Sequence, residues 1–441
     1  MNIKMDLTFT VGIEIGVAVL LLIAFVWMKP EYGLLLYGLA LGFPDIAVPL
    51  GTAINVRVDD ALLLLFLLRS FLWVPAPIAA GQRKIIRWQA LLLAVCGVSA
   101  AVGFARDSPP ALYETTKMIG CAAIIAVLPR LLQSERRLRF LVAGLMCGGV
   151  ALVVQVAQHL AGSSANFLAN FQELKTAATF TTWNPNTIGQ AAMLLAFAAG
   201  LGGIVFPQTW FSRSLWFALA TGFSMIPVLV FARGTGLSIA TGYILFLCLT
   251  RRWKLACVFL AIGLSALGYF HSIDSELVDG ATHVDLTTGE GFSHRFDRWG
   301  MAIDAIRTEP VLGYGFGREW TLLSEMGSEG RAHNAYMSVW IEVGAGGLAL
   351  LLAILFQYCS TALNLYRQHE FRAVGALLLA LLAAMCVDSI ALPTLYWEKL
   401  PTIALSIGVA LVGVCERNQL SPALQMEPVS NYEALPQQLQ A

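Results

Sequence analysis

His333 and Asn334 stand where a polar stretch of roughly sixty residues gives way to a long apolar run that carries Gly344 and Gly347. A histidine titrates near neutrality, so at such a boundary it can take a proton from a hydroxyl presented at a membrane surface. Upstream, Arg295 and Arg298 lie three apart in Ser293-His294-Arg295-Phe296-Asp297-Arg298-Trp299, which puts both on one side of a helix. Two guanidinium forks held close together suit a diphosphate, because each donates a bidentate, charge-assisted pair to phosphate oxygens. Arg233, in Phe231-Ala232-Arg233-Gly234, sits in a tight turn between apolar runs, where a charge requires a partner or a polar cavity. Spacing alone admits plainer readings. The helix arginines can pair with Asp297, Asp304 or Glu309, Arg233 can snorkel to headgroups, and His333 can be a polar cap.

The elements that must hold these residues are membrane helices. Of 441 residues, 57% are apolar and 13% charged, and apolar runs of about 18 to 22 residues recur along the chain, the length that spans a bilayer. A soluble chain carries about twice that charge, and a membrane barrel shows alternating strands of about ten residues. The expected fold class is therefore all-α, a polytopic integral membrane protein. A formal charge of zero and no basic face speak against a nucleic-acid partner. Cys96, Cys121, Cys147, Cys248, Cys257, Cys359, Cys386 and Cys415 lie singly in or beside apolar runs and read as small core residues, without metal-ligand spacing. No metal and no cofactor is expected. The run from about Val11 to Trp27 has no basic leader and no small-residue cleavage site, and reads as a retained helix.

Candidate spans fall near residues 10–28, 33–49, 58–75, 88–105, 112–129, 139–160, 187–206, 214–231, 235–250, 254–271, 334–358, 372–392 and 400–415. Basic residues gather at Arg83, Lys84 and Arg87, at Arg130 to Arg139, at Arg251 to Lys254, and at Arg367 and Arg372, and the positive-inside rule assigns these to the cytoplasm. One span onward from Arg251, the polar segment from His271 to Ala332 falls on the opposite side, with Asn186, Arg233 and Pro393. Thirteen spans would leave the two ends on opposite sides. With Pro30 between the first two runs and Pro44 inside the second, one of them is read as less than a full span, giving about 12 helices with both ends inside. The expected organisation is a helix bundle over 1–270, a loop domain on the outer side over 271–332, C-terminal helices over 333–415 and a disordered tail over 416–441.

Within the polar segment, Phe296, Trp299, Ile303 and Ile306 follow helical spacing, which predicts an amphipathic helix against the membrane side. Gly313-Tyr314-Gly315-Phe316-Gly317 permits sharp turns and close backbone approach, suited to covering an elongated ligand. Asn334, Ser338 and Glu342 recur every four residues and form a polar stripe facing the bundle. Asn184 and Asn186, around Pro185, read first as helix caps. Asp59-Asp60 opens another helix, and Lys117 and Arg106 fall near the same outer face.

Together these residues resemble the bacterial O-antigen ligase, polymerase and protein O-oligosaccharyltransferase superfamily. The ligase-type signature is His, then Asn, Ser or Gln, nine residues, Gly, two residues, and Gly, Thr or Tyr. It is matched by His333-Asn334, Gly344 and Gly347. Arg233-Gly234 matches the turn arginine, Arg295 and Trp299 an Arg followed by an aromatic, Pro310 with Gly313 to Gly317 a Pro and Gly-x-Gly element, and Asn184 to Asn186 an Asn-Pro-Asn. The resemblance runs from about Trp183 to Leu350. Ala232 departs from the small hydroxyl residue usual before the arginine.

The resemblance implies a GT-C-like glycosyltransferase with an undecaprenyl-diphosphate-linked glycan as donor. His333 would be the base. Arg233, Arg295 and Arg298 would hold the diphosphate, with Asn334, Asn186, His294, Trp299 and Tyr314 in support. The full signature and the short C-terminal tail favour an O-antigen ligase acting on the lipid A-core over a repeat-unit polymerase or a protein glycosyltransferase. From another class, a lipid-linked glycan transporter would share the arginines and require no base.

Overall fold

The computed structural model describes residues 28–42, 47–50, 54–72, 78–105, 109–162, 185–206, 209–229, 232–252, 254, 257, 261, 293–328, 330–392, 395 and 398–417. The expected first run, the span at 254–271 beyond isolated positions, the first part of the polar segment and the tail after 417 lie outside them.

Helices α1 (Pro30–Gly42), α2 (Val58–Leu72), α3 (Ala80–Ala105), α4 (Pro109–Leu131) and α5 (Glu135–Gly162) are followed by α6 (Pro185–Val205), α7 (Trp210–Leu229) and α8 (Arg233–Leu249). Then come α9 (Ser293–Thr308), the short α10 (Glu319–Glu325), α11 (Ala335–Arg367), α12 (Arg372–Ala391) and α13 (Lys399–Glu416). Among the described residues, six helices are long and apolar enough to cross a membrane. A helical membrane architecture therefore holds, with one addition. The expected span at 33–49 is a helix that stops at Gly42, followed by an antiparallel hairpin of Ala47–Leu50 and Ile54–Arg57 with Val48 opposite Val56. Thirteen helical residues reach about 20 Å, short of the ~30 Å hydrocarbon core. Pro44 in the sequence and the β-branched Val48, Ile54 and Val56 account for the change of structure.

Small residues set how closely these helices pack. A Cβ on Gly38 would lie 2.5 Å from the Leu141 carbonyl oxygen and one on Gly144 would lie 2.1 Å from that of Leu35, so α1 and α5 cross backbone to backbone. Near the centre, Ala191, Ala192, Ala198 and Ala199 of α6 are all buried in the main core. A second core joins α3, α4 and α11 around Cys96, Cys121, Val339 and Phe316, and a third joins α9 and α10 to Ala332 and Ile341.

The helix ends sort into two sets. At one end, Glu416 of α13 accepts the Gly81 amide of α3, Tyr366 Oη of α11 donates to the Leu249 carbonyl of α8, and Arg139 of α5 donates to the Val205 carbonyl of α6. The basic groups at Arg83 to Arg87, Arg130 to Arg139, Arg251 to Arg252, Arg367 and Arg372 fall here. At the other end meet the close of α3 and α12, the starts of α4, α6, α8, α11 and α13, and the described part of the polar segment.

The 33-residue α11 is two helices. Gly344 has φ 76° and ψ −173°, which breaks the helix and frees carbonyls in the turn before it. The loop after α9 fills the break. Tyr314 N donates to Ile341 O at 2.8 Å, Gly315 N to Glu342 O at 3.0 Å, and Ala345 N to Pro310 O at 3.0 Å. Ser99 Oγ of α3 adds a second donor to Glu342 O at 2.8 Å. The Gly-aromatic loop is thus seated in the protein at this point rather than laid over an open surface. Gly313 and Gly315, at φ 69° and 105°, approach the backbones of Gly344 and Gly103 more closely than any Cβ allows.

Gly344→Ala would place a Cβ 2.0 Å from the Val311 carbonyl oxygen in a left-handed conformation, whereas a Cβ on Gly346 meets nothing within 4 Å. Thermal unfolding in detergent is expected to show a loss of more than about 2 kcal/mol for Gly344→Ala, and for Gly346→Ala no loss or a gain of up to ~1 kcal/mol. Equal behaviour of the two variants would contradict the break.

Candidate active site

His333 occupies a left-handed turn, φ 53°, immediately before α11. For a residue with a Cβ this costs about 1 to 2 kcal/mol, so its neighbours must over-determine it. They do. Ala332 N donates to Glu319 Oε1 at 2.9 Å, and Ala332 O accepts from Trp299 Nε1 at 2.9 Å. On the other side, Asn334 is the N-cap of α11, its Oδ1 accepting from Tyr336 N at 3.0 Å and Met337 N at 3.2 Å. Asn334 thereby orients the turn through the helix cap, with its Oδ1 committed to backbone amides instead of the imidazole.

Among the described residues, no hydrogen bond holds the half-buried imidazole of His333. Burial first, then the positive charges of Arg298, Arg295 and Arg331, push its pKa down from 6.5 to about 4. At neutral pH the ring is uncharged, the form that accepts a proton. Arg295 and Arg298 are half-buried on α9, and Arg295 is held below its ordinary value by burial and then by Arg298. The pairing with Asp304 that spacing admitted is taken by Arg307 instead, at 3.2 Å. The predicted amphipathic helix is present, with Ala302, Ala305 and Ile306 buried, and Phe296 and Ile303 exposed. Tyr314 and Trp299 pack in the same small core.

The polar stripe of α11 is buried as expected. Asn334, Ser338 and Glu342 are 7%, 1% and 2% exposed, and Glu342 Oε1 accepts the Glu319 amide at 3.3 Å. Two groups outside the expected site complete it. Arg331 ion-pairs with Glu114 of α4, which also faces Lys117, and Lys117 bridges to Glu398 at 3.0 Å. Glu319, 1% exposed, is raised above the ordinary carboxylate range by burial, against the pull of Arg331, the Ala332 amide and Ser338. The signal for Arg331 was its place two residues before His333. Glu319 lies fourteen residues before it and offered none.

Arg233 is the first residue of α8, with Ala232 at the N-cap and no side-chain cap bond, since alanine has no group to supply one. The turn is fixed by its surroundings. Thr235 Oγ1 donates to the buried Asp388 Oδ1 at 2.9 Å, and a Cβ on Gly189 of α6 would lie 2.8 Å from Ala232 Cβ. Half-buried Asn186, one turn before Gly189, shares this corner. The Arg233 corner and the His333 turn meet on the last turns of α12, where Tyr336 Oη donates to Cys386 O at 3.3 Å, two residues from Asp388. The side chains of Arg233 and His294, and all of Asn184 and Arg106, lie outside the description. Asp60 pairs with Lys399, and no group of three His, Cys, Asp or Glu side chains among the described residues is arranged to hold a metal ion.

Between α6, α8 and α12 an apolar slot of about 80 Å³ is lined by Met193, Phe197, Ile239, Tyr243 and Leu381, below the Arg233 corner. A larger cavity of about 480 Å³, near Lys84, Gln357 and Asn364, lies at the far end of the bundle, roughly 40 Å along α11 from His333, and is not part of this site.

A polytopic helical membrane protein with a neutral histidine under an arginine pair at one end is the class that fold and site define. Residues 217–352, from α7 past the break in α11, match the family model described as O-antigen ligase. The match includes Arg233, Arg295, Arg298, His333, Gly344 and Gly347 and excludes Asn186. No curated protein matches the chain.

Because the folded pKa of His333 is depressed, the unfolded chain takes up the proton first as pH falls, and the stability this group contributes is lost between about 6.5 and about 4. In carbon-13 histidine NMR, His333 is expected to titrate near 4, and Arg298→Gln, by removing a positive charge, to shift it toward 6.5. An unmoved midpoint would separate the imidazole from the arginine pair.

Proposed function

We propose that this protein is an O-antigen ligase, transferring O-antigen polysaccharide from undecaprenyl diphosphate to the lipid A-core oligosaccharide of lipopolysaccharide. The observation that carries the reading is the neutral imidazole of His333, on a clamped turn, in the field of Arg298 and Arg295. His333 takes the proton of the acceptor hydroxyl, whose oxygen attacks the anomeric carbon as the bond to the diphosphate oxygen breaks. A single displacement inverts that carbon, and undecaprenyl diphosphate leaves. Arg295 and Arg298, joined by Arg233, supply the positive charge the leaving group requires, so the step calls for no metal ion or other cofactor. Bound phosphates also offset the arginine charge at His333, raising the basicity of the imidazole when the donor is in place.

The site end then faces the periplasm and the basic end the cytoplasm, in a bacterial inner membrane crossed by about 12 helices. A transmembrane bundle over 1–270 and helices over 333–415 hold a periplasmic loop domain over 271–332, with a cytoplasmic tail over 416–441. The prenyl tail lies along the bundle among the membrane lipids, since the apolar slot of about 80 Å³ below the Arg233 corner has room for no more than about one isoprene unit. Neither a nucleotide nor a nucleic acid has a place in the scheme.

The test is reconstitution with undecaprenyl-diphosphate glycan and rough lipopolysaccharide, without nucleotide and with a chelator. Wild type is expected to build a ladder on the lipopolysaccharide, His333→Ala to lose about 10² to 10⁴ in rate, and Arg295→Gln or Arg298→Gln about 10² to 10³. Near-normal transfer by folded His333→Ala would end the base assignment. Longer glycan on the prenyl carrier would mean a polymerase, product only on added protein a protein O-oligosaccharyltransferase, and donor binding without any product a transporter.

A further inference from the structure

Glu319 is the point from which the turn carrying His333 is held. Its Oε1 accepts from Ala332 N at 2.9 Å on one side of His333 and from Ser338 Oγ at 2.9 Å on the other. Ser338 Oγ shares its one proton between Glu319 Oε1 and Asn334 O, 3.0 Å away and one turn back on α11, and a single carboxyl oxygen ties the residue before His333 to the first turn of the helix after it. The backbone of Glu319 is fixed in turn, its amide donating to Glu342 Oε1 at 3.3 Å. All three side chains are buried, Glu319 at 1%, Ser338 at 1% and Glu342 at 2% exposure, where an unmade hydrogen bond is costly. An ordinary helix start calls for none of this, because Asn334 already caps the first free amides. What the second clasp adds is restraint on Ala332 and His333 themselves.

We propose that Glu319 is a positioning residue for the transfer reaction, holding the His333 imidazole in place through the hydrogen bonds of its Oε1 to Ala332 N and Ser338 Oγ, and not through its charge. The inference rests on the reading of His333 as the base. A base displaced by about 1 Å loses on the order of 10²-fold in rate while the donor binds as before. A glutamine retains the oxygen that accepts both bonds; an alanine does not.

The experiment compares Glu319→Ala, Glu319→Gln and Ser338→Ala, each alone and with His333→Ala, in the purified full chain with lipid-linked diphosphate donor. Glu319→Ala is expected to lower kcat by about 10²-fold with KM for the donor little changed, and Glu319→Gln to stay within about fivefold of wild type. In the His333→Ala background, Glu319→Ala is expected to add no further loss, because the residue it positions is gone. Ser338→Ala, which removes one hydroxyl and keeps the fold, is expected to lose about tenfold and to show the same dependence on His333. An equal further loss in the His333→Ala background would make Glu319 merely structural and overturn the proposal. So would Glu319→Gln as damaging as Glu319→Ala, or Glu319→Ala and Ser338→Ala both at wild-type kcat. If His333→Ala alone transfers normally, the base assignment fails instead, and the two failures are told apart.

Discussion

The break in α11 is the constraint on which the rest depends. A helix in hydrocarbon satisfies its own backbone, and any carbonyl it frees must find a protein donor. Gly344 frees carbonyls at Ile341 and Glu342, and the amides of Tyr314 and Gly315 meet them. The match works only with glycine on both sides, since Gly313 and Gly344 approach backbone to backbone. Through this contact the polar segment is fixed to the membrane bundle. The upper piece of α11, with its buried stripe, becomes a platform set apart from the part that spans.

On that platform the charges are divided between holding and acting. Glu114 takes Arg331, Asp304 takes Arg307, and Asp388 takes the hydroxyl of Thr235. Glu319 and Asn334 spend their acceptors on the backbone around His333. The positive charges of Arg298, Arg295 and Arg331 act, with burial, to keep the imidazole neutral. Such a field is costly in an empty protein and favourable once anionic oxygens enter. The strained φ of His333 fits the same pattern, with local cost carried by a surround that over-determines it.

Much of this was legible from residue order. Apolar periodicity marks the helices, and the spacing of Arg295, Arg298 and Trp299 marks the amphipathic helix and its two arginines. The signature of His333, Gly344 and Gly347 locates the turn. What could not be read was long-range. Pro30 and Pro44 marked one of the first two runs as less than a full span, but the strand Ala47–Leu50 was read into the end of the second because a short apolar stretch does not tell strand from helix, and α11 looked continuous because a glycine inside an apolar run does not announce its φ. The Gly-aromatic loop was legible as close backbone approach but not as to whose backbone. Asn334 was legible as a supporting residue, but not that its short side chain gives that support by capping the helix it begins. Glu319 and Asp388 were invisible, because a buried carboxyl in a polar or apolar run has no local signature until its partners are known.

The most direct test of the account is a cryo-EM structure of the protein with an undecaprenyl diphosphate-linked glycan bound. The account predicts phosphate oxygens within about 3.2 Å of the Arg295 and Arg298 guanidinium groups, with the His333 imidazole on the side of the anomeric carbon opposite the diphosphate. A diphosphate seated in the cavity near Lys84 at the far end, or one at the site end that leaves both arginines unengaged, would contradict it.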